Sequence, residues 1–286
     1  MLSKEQVEAY HRDGYITVEN VYSAAELDEL RRVTDSFVEK SREVTEHTDV
    51  FDLEPSHQPD APKVRRIKNP ISQHQAYRTA LEQGGMLDIV AQLIGPHIRL
   101  QNTKLNLKSG GFGSAVEWHQ DLAFYPHTNE DVLAVGLCLD DMTVENGALM
   151  AIPGAHKSHP MWDHHQNGHF VGAITDSAFS DDEAQTMTVR AGGITIHHGR
   201  MPHGSRPNHS NRQRRLLLFE LRAVDAWPIL GIPDWETFNS LILRGEPTWA
   251  PRIETCPVRI PLPPTPTVGS IYEVQTHLKD RPLAAQ

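Results

Sequence analysis

Cysteine is almost missing from this chain: two residues, Cys138 and Cys256, in 286. So few thiols, far apart in sequence, exclude a disulfide scaffold and read as two reduced cysteines in a cytoplasm. Long apolar runs are missing too. None approaches the ~20 residues that a membrane helix needs, and the opening MLSKEQVEAYHRDG lacks the apolar core of a signal peptide. The expectation is a cytoplasmic protein without a membrane partner. Positive charge is in deficit, with 27 Lys and Arg against 37 Asp and Glu, a net charge of −10. That balance argues against nucleic acid or an anionic membrane surface as partner, and leaves a small molecule. Internal repeats and low-complexity tracts are absent, and no pattern encodes an oligomeric state. What the chain does have is 38% hydrophobic residues, enough for a core, and 17 histidines, many of them between 119 and 209.

The first 45 residues read as helix, strand, helix. Ser3 with Gln6 and Ser23 with Glu26 form capping-box patterns, and Gly14 can stop the first helix. Leu27, Leu30, Val33 and Phe37 mark one face of the second. Residues 45–63 are mostly polar and read as a surface loop; residues 75–95 read as helix. From about 98 the texture changes to short apolar or alternating runs: Ile98–Leu107, Val132–Leu139, Ala148–Ile152, Thr186–Val189, Ile194–His197 and Leu216–Leu221. Gly, Pro, Asn and Asp separate them, the pattern of a β-sandwich or jelly roll. Seven prolines in 247–266 suggest an extended surface segment. The expected layout is one domain over 1–286: a helical part to about 97, a β core over about 98–225, and an extended C-terminal segment over about 226–286.

Trp118-His119-Gln120-Asp121 carries the most chemistry. On a strand, residues i and i+2 share a face, so His119 and Asp121 could reach one ion. A second histidine is available among His197, His198 and His203. Two histidines and a carboxylate make the facial triad of non-haem iron(II) oxygenases, with open coordination positions. Zinc hydrolases use the same set. A buried arginine bears on the choice, because a guanidinium entering an apolar strand needs an anion. Arg214 and Arg215 open the strand at 216–221, and parity does not choose between them. A dicarboxylate cosubstrate would supply that anion.

These pieces together resemble the phytanoyl-CoA dioxygenase family: W-H-Q-D at 118–121, E-N-G-A-L at 145–149, I-P-G-A-H at 152–156, and H-G-S-R-P-N at 203–208 followed by Arg214. D-G-Y-I-T-V at 13–18 is similar to the family's opening. The resemblance implies a mainly β fold, a double-stranded β-helix (jelly-roll, cupin-like) core with flanking α-helices. It implies Fe(II), 2-oxoglutarate and O2, with His119, Asp121 and His203 as metal ligands. Arg214 and Ser205 match the residues that bind the distal carboxylate of 2-oxoglutarate. Tyr125 matches an aromatic beside the cosubstrate, and Arg66 and Lys68 lie near a basic residue aimed into the site. A retained Asp121 favours hydroxylation of an unactivated C–H bond, or a variant such as desaturation, epoxidation or ring formation, over halogenation. Relatives often place tryptophan about where this chain has Gly136, which implies space beside the metal.

Simpler readings apply elsewhere. His156 reads as a loop stabiliser. His159, His164, His165 and His169 read as a solvated loop before a second metal site, and His197 and His198 as hydrogen-bonding supports. Glu145-Asn146-Gly147 reads as a turn and Cys138 as a small core residue. Asn102, Lys104 and Asn106 give one strand a polar face that suits a pocket or solvent; Asn102 is carried forward as a candidate cosubstrate contact. Two other functions remain open on these residues. One is a metal-dependent cupin-like hydrolase or isomerase without 2-oxoglutarate; the other is a non-catalytic jelly-roll binding protein.

Overall fold

Two capping boxes start the fold as their spacing predicts. Ser3 and Ser23 each accept from the backbone three residues on, and Gln6 and Glu26 return the bond. They open α1 (Lys4–Asp13) and α2 (Ala24–Lys40). Gly14 ends α1 at φ +80°, where a side chain would also strike His156 and Met201. In this computed structural model, residues 1–111, 113–157, 161–255, 258–267 and 269–285 are described. Cys256 and His159 lie outside the described residues.

The remaining elements, in chain order, begin with β1 (Tyr15–Val18), β2 (Phe51–Leu53), β3 (Val64–Lys68), α3 (Pro70–Gln73), α4 (Gln75–Gln83) and α5 (Met86–Ile94). Then come β4 (Ile98–Lys108), β5 (Val116–His119), β6 (Val132–Cys138), β7 (Met150–Ala151), β8 (His165–Gln166) and β9 (His169–Phe170). The last are β10 (Gln185–Thr186), β11 (Ile194–His198), β12 (His203–Ser205), β13 (Arg214–Ala223), α6 (Trp235–Ser240), β14 (Ile242–Arg244) and α7 (Ile271–Val274). The major sheet runs β1-β11-β6-β13-β4-β3-β2, with β14 also on β4; the minor sheet runs β10-β7-β12-β5. Every pairing is antiparallel, and the two sheets form the jelly-roll core.

The period of two along these strands sorts side chains between two environments. Leu105, Val135, Leu137, Ile196, Leu217 and Phe219 leave the major sheet on its outer face. There they join Leu30, Val33 and Phe37 of α2 and Leu87 and Val90 of α5 in one apolar core. Each such side chain contributes roughly 1.5–3 kcal/mol by leaving water. The alternate residues Lys104, Asn106, Ala134, His197, Leu216 and Leu218 point inward and line the cavity between the sheets.

Three expectations need correction. The polar stretch 45–63 is not wholly loop, because Phe51–Leu53 is a buried edge strand on β3. The sheet therefore does not start near 98: β1 is the short strand expected after the first helix, and with β2 and β3 it belongs to the major sheet. The histidine run is solvated only in part among its described residues, His169 being exposed and His165 half-buried. His165 and His169 sit on the β8–β9 hairpin, and His164 is buried. The stretch 247–266 has no regular structure among its described residues, as its prolines suggest. Beyond it, however, Tyr272, Gln275 and Leu283 return to the interior. Among the described residues no helix is long and apolar enough to cross a membrane.

Candidate active site

β5 and β12 are neighbours in the minor sheet, and their register sets His119 against His203. Each ring is oriented by its own strand. His119 Nδ1 lies 2.8 Å from the Glu117 carbonyl and His203 Nδ1 lies 2.9 Å from the Met201 carbonyl. A carbonyl can only accept, so both Nδ1 atoms carry the proton and both Nε2 lone pairs are free. Asp121 Oδ1 lies 3.9 Å from His119 Nε2 and 4.0 Å from His203 Nε2. One ligand atom from each residue falls within 4.8 Å of the others, close enough to share one ion. The route by which Asp121 arrives differs from expectation. The strand ends at His119, and Asp121 begins a 3-10 turn. Gln120 is buried between them: its amide donates to the Arg200 carbonyl, and its backbone N–H donates to His164 Nε2.

The electrostatics suit a cation. Burial drives His119 down to about 4 and His203 well below the usual imidazole value, so both rings are neutral at neutral pH and able to serve as ligands. Burial pushes Asp121 upward, but His203, His197 and Lys104 outweigh it and hold the carboxyl well below its usual range. His197 Nε2 sits 3.2 Å from Asp121 Oδ2, the oxygen turned away from the triad. Supports of this kind tune a metal-bound carboxylate. His198 faces His156 instead and lies outside the triad. A second group, His47, Asp52 and Glu273, also comes together, but Arg65 and Lys68 already pair with its carboxylates.

The cavity beside the triad is small, about 30 Å³. It is lined by Arg66, Asn106, Ser205, Arg214 and Tyr272, among others. Arg214 is 2% exposed. Its Nη2 donates to the Gly147 carbonyl at 2.7 Å, and its Nε has no partner. That carbonyl sits on the 145–147 turn, held by Asn146 through Thr143 and Asp141. Arg215 points the other way and is spent on Asp140 and Asp35. A buried guanidinium that meets only a carbonyl and lines a cavity is a fitting seat for a carboxylate.

The other expected residues separate. Arg66 lines the cavity, donating to Asn106 Oδ1 at 2.9 Å; Lys68 pairs with Asp52 at 2.9 Å instead. Asn102 is exposed, its Oδ1 turned to the Thr103 backbone, and it is Asn106, two turns of the pleat along β4, that enters the cavity. Tyr125 packs beside Phe124 in an apolar cluster. Its hydroxyl is held up well above the usual phenol value by burial first and then by Asp121 and Glu220, to which it bonds. Gly136 does not open space beside the metal: a Cβ there would come within 2.6 Å of Thr195 Oγ1 and 2.8 Å of Leu216 Cδ1. Sequence reasoning missed Lys108, whose Nζ donates to Ser205 Oγ at 2.8 Å. Its position continues the alternation Asn102, Lys104, Asn106, which was the available signal. It also missed Tyr272, which no periodicity marks.

A jelly roll with two neutral histidines on neighbouring strands and an ionised aspartate on the turn that follows one of them has the make-up of a mononuclear metal site with open coordination positions. Comparison with known proteins narrows the class. The phytanoyl-CoA dioxygenase (PhyH) family matches residues 10–216, and the chain belongs to that family. The probable alpha-ketoglutarate-dependent hypophosphite dioxygenase of Stutzerimonas stutzeri is 34% identical over 283 residues, spanning 97% of this chain and 98% of that protein. The L-proline trans-4-hydroxylase of Streptomyces griseoviridis is 27% identical over 217 residues, 59% of this chain and 80% of that one. Among solved structures, EctD from S. alaskensis with bound Fe shares the fold at a TM-score of 0.67 and 23% identity, over 88% of this chain and 87% of that one. The protein is an oxidoreductase, a 2-oxoglutarate-dependent dioxygenase that uses Fe(II) and O2.

Proposed function

We propose that this enzyme oxidises a small anion, with hypophosphite as the leading substrate. The observation that carries the reading is a second buried guanidinium. Arg214 suits the distal carboxylate of 2-oxoglutarate. Arg66 lines the same cavity, donates to the neutral amide of Asn106 and stacks over the Tyr272 ring. A further anion beside the metal would balance it. The confined cavity supports a compact substrate over a CoA thioester, and the likeness to the hypophosphite dioxygenase extends over nearly the whole of both chains.

In this reading His119, Asp121 and His203 hold Fe(II), and Arg214 and Ser205 hold the cosubstrate's distal carboxylate. Bound iron supplies O2 activation coupled to decarboxylation of 2-oxoglutarate to succinate and CO2. One oxygen atom ends in succinate and the other in product, so a P–H bond becomes P–OH and hypophosphite becomes phosphite. Arg66 orients the anion beside the metal. The near absence of cysteine supports a cytoplasmic setting.

A second reading is C–H hydroxylation of an amino-acid-sized metabolite, favoured by the apolar wall of Ala134, Leu216 and Leu218. The two separate in one assay. Enzyme, Fe(II), 2-oxoglutarate and air are incubated with hypophosphite, proline or ectoine, and succinate and oxidised product are counted. Phosphite formed one-for-one with succinate is the expected result. Succinate that rises with an organic substrate and stays at the substrate-free rate with hypophosphite would replace the first reading by the second.

A further inference from the structure

Four charged side chains other than histidine line the cavity among the described residues. Asp121 belongs to the triad and Arg214 suits the cosubstrate, which leaves Arg66 and Lys104. Lys104 leaves β4 opposite Leu218 of β13, and Glu220 follows two residues later on the same face of that strand. Glu220 is 1% exposed and accepts from the Lys104 ammonium through Oε1. Its register partner on β6 is Ala134, which lines the cavity, so the carboxylate stands at the cavity's edge. Lysine carries three N–H donors. Glu220 takes one of them, and the Lys104 side chain keeps 19% exposure. The ammonium is also close enough to the triad to help hold Asp121 ionised. The substrate side of the cavity thus has two cations, Arg66 and Lys104, against one carboxylate, a net charge of +1. For a seat meant to hold an anion, a buried carboxylate is an odd neighbour, because it repels whatever the arginine and lysine attract.

We propose that Lys104 and Glu220 set the charge of the substrate seat, so that it holds a compact monoanion and rejects the dianion formed from it. The inference rests on the reading of a small anion as substrate. Hypophosphite carries one negative charge. Turning one P–H into P–OH adds an acidic proton, and near neutrality that proton is lost to solvent, so phosphite leaves as a dianion. Lys104 and Arg66 attract both species. Glu220 opposes both, and because Coulomb energy scales with the ligand's charge, the opposition is twice as large for the dianion. Specificity built this way needs a repulsive group as well as attractive ones. Glu220 is that group, and Lys104 is at once its partner and a contact for the substrate. The pair therefore favours release of the product over its retention beside the metal.

The test is an anaerobic titration of the enzyme loaded with iron(II) and 2-oxoglutarate, read from the change that an added anion makes in the absorption of the iron–oxo-acid chelate. Hypophosphite and phosphite are compared above neutrality, where the first is a monoanion and the second a dianion. Wild type should bind hypophosphite the more tightly. Glu220→Gln should improve phosphite by about 10-fold more than hypophosphite, since like charges brought together cost several kcal/mol. Lys104→Met should weaken hypophosphite by about 10-fold or more. Lys104→Met/Glu220→Met removes both charges, leaves Arg66 and the net charge of +1, and should return the preference for hypophosphite toward the wild-type ratio. If Glu220→Gln does not fold, the double variant and Lys104→Met carry the comparison. A role limited to packing would weaken both anions alike and leave their ratio unmoved. An unchanged ratio in Glu220→Gln, or unchanged hypophosphite affinity in Lys104→Met, would overturn the proposal while leaving the substrate reading in place. Failure of wild type to respond to hypophosphite would sink that reading, and the inference with it.

Discussion

At the scale of single residues, the site makes sharp distinctions between neighbours. His203 offers a free Nε2 to the triad, whereas His197 hydrogen-bonds the outer oxygen of Asp121 and packs against the His203 ring. His203→Ala and Asp121→Ala should therefore abolish iron binding in a metal analysis. His197→Ala should keep iron with affinity reduced by about 10–100-fold, the usual effect of losing a support to a ligand. Retention of iron by His203→Ala would move the ligand to another histidine. Arg214 and Arg215 diverge in the same way. Arg214→Ala should raise the apparent constant for 2-oxoglutarate by about 10-fold or more. Arg215→Ala, which strips Asp140 and Asp35 of their partner, should cost roughly 1–3 kcal/mol in urea unfolding and leave that constant nearly unchanged. The candidate triad and Arg214 were legible because each lies in a motif of unusual residues. Lys108 and Tyr272 were not. A buried lysine shows nothing in sequence until its cross-strand partner is known, and Tyr272 reaches the cavity through a long irregular segment.

At the scale of elements, periodicity worked where strands are long and failed where they are short. β4, β6, β11 and β13 carry the apolar alternation that faces α2 and α5, and their ranges follow the expected runs closely. β2 has three residues inside a polar stretch, too few to register a period. The H-x-D pair shows a subtler failure. Strand parity placed both ligands on one face, yet the chain turns after His119, and Asp121 comes back through a 3-10 turn. Gly136 gives this scale its prediction. Its absent side chain reads as spare room in sequence, but Thr195 and Leu216 already fill that room. Gly136→Ala should cost about 1–3 kcal/mol, the usual penalty for overpacking, seen as a lower urea midpoint. A neutral or stabilising result would restore the open pocket.

For the whole molecule, burial of histidine sets the response to acid. His164 and His198, neither in the triad, are each held down to about 3, and His119 to about 4, in every case by burial first. Unfolded, each returns to ~6.5. The unfolded state therefore binds more protons below ~6.5, and the stability present above that value is lost as pH falls toward 3–4. Each group contributes up to about 1.4 kcal/mol per pH unit in that window. Melting temperature should be flat above neutrality and fall steeply from pH 6.5 to 5. A flat profile across that range would mean these rings are accessible to protons in the folded state.

The register of the major sheet also has a consequence in time. Tyr15–Val18 pairs with Ile194–His197 alone among the described strands, and the β4 strand finds its central partner in 214–223. During synthesis the first strand must wait, unpaired, until most of the chain has left the ribosome. Contacts so distant in sequence make for slow folding and leave sheet edges open to wrong partners meanwhile. The two histidines of the triad lie on β5 and β12 of the minor sheet, themselves far apart in sequence, so the triad does not assemble until those strands have also paired. Cells making this protein quickly should therefore accumulate metal-free, aggregation-prone chains, and slower synthesis in the cold should favour the loaded enzyme.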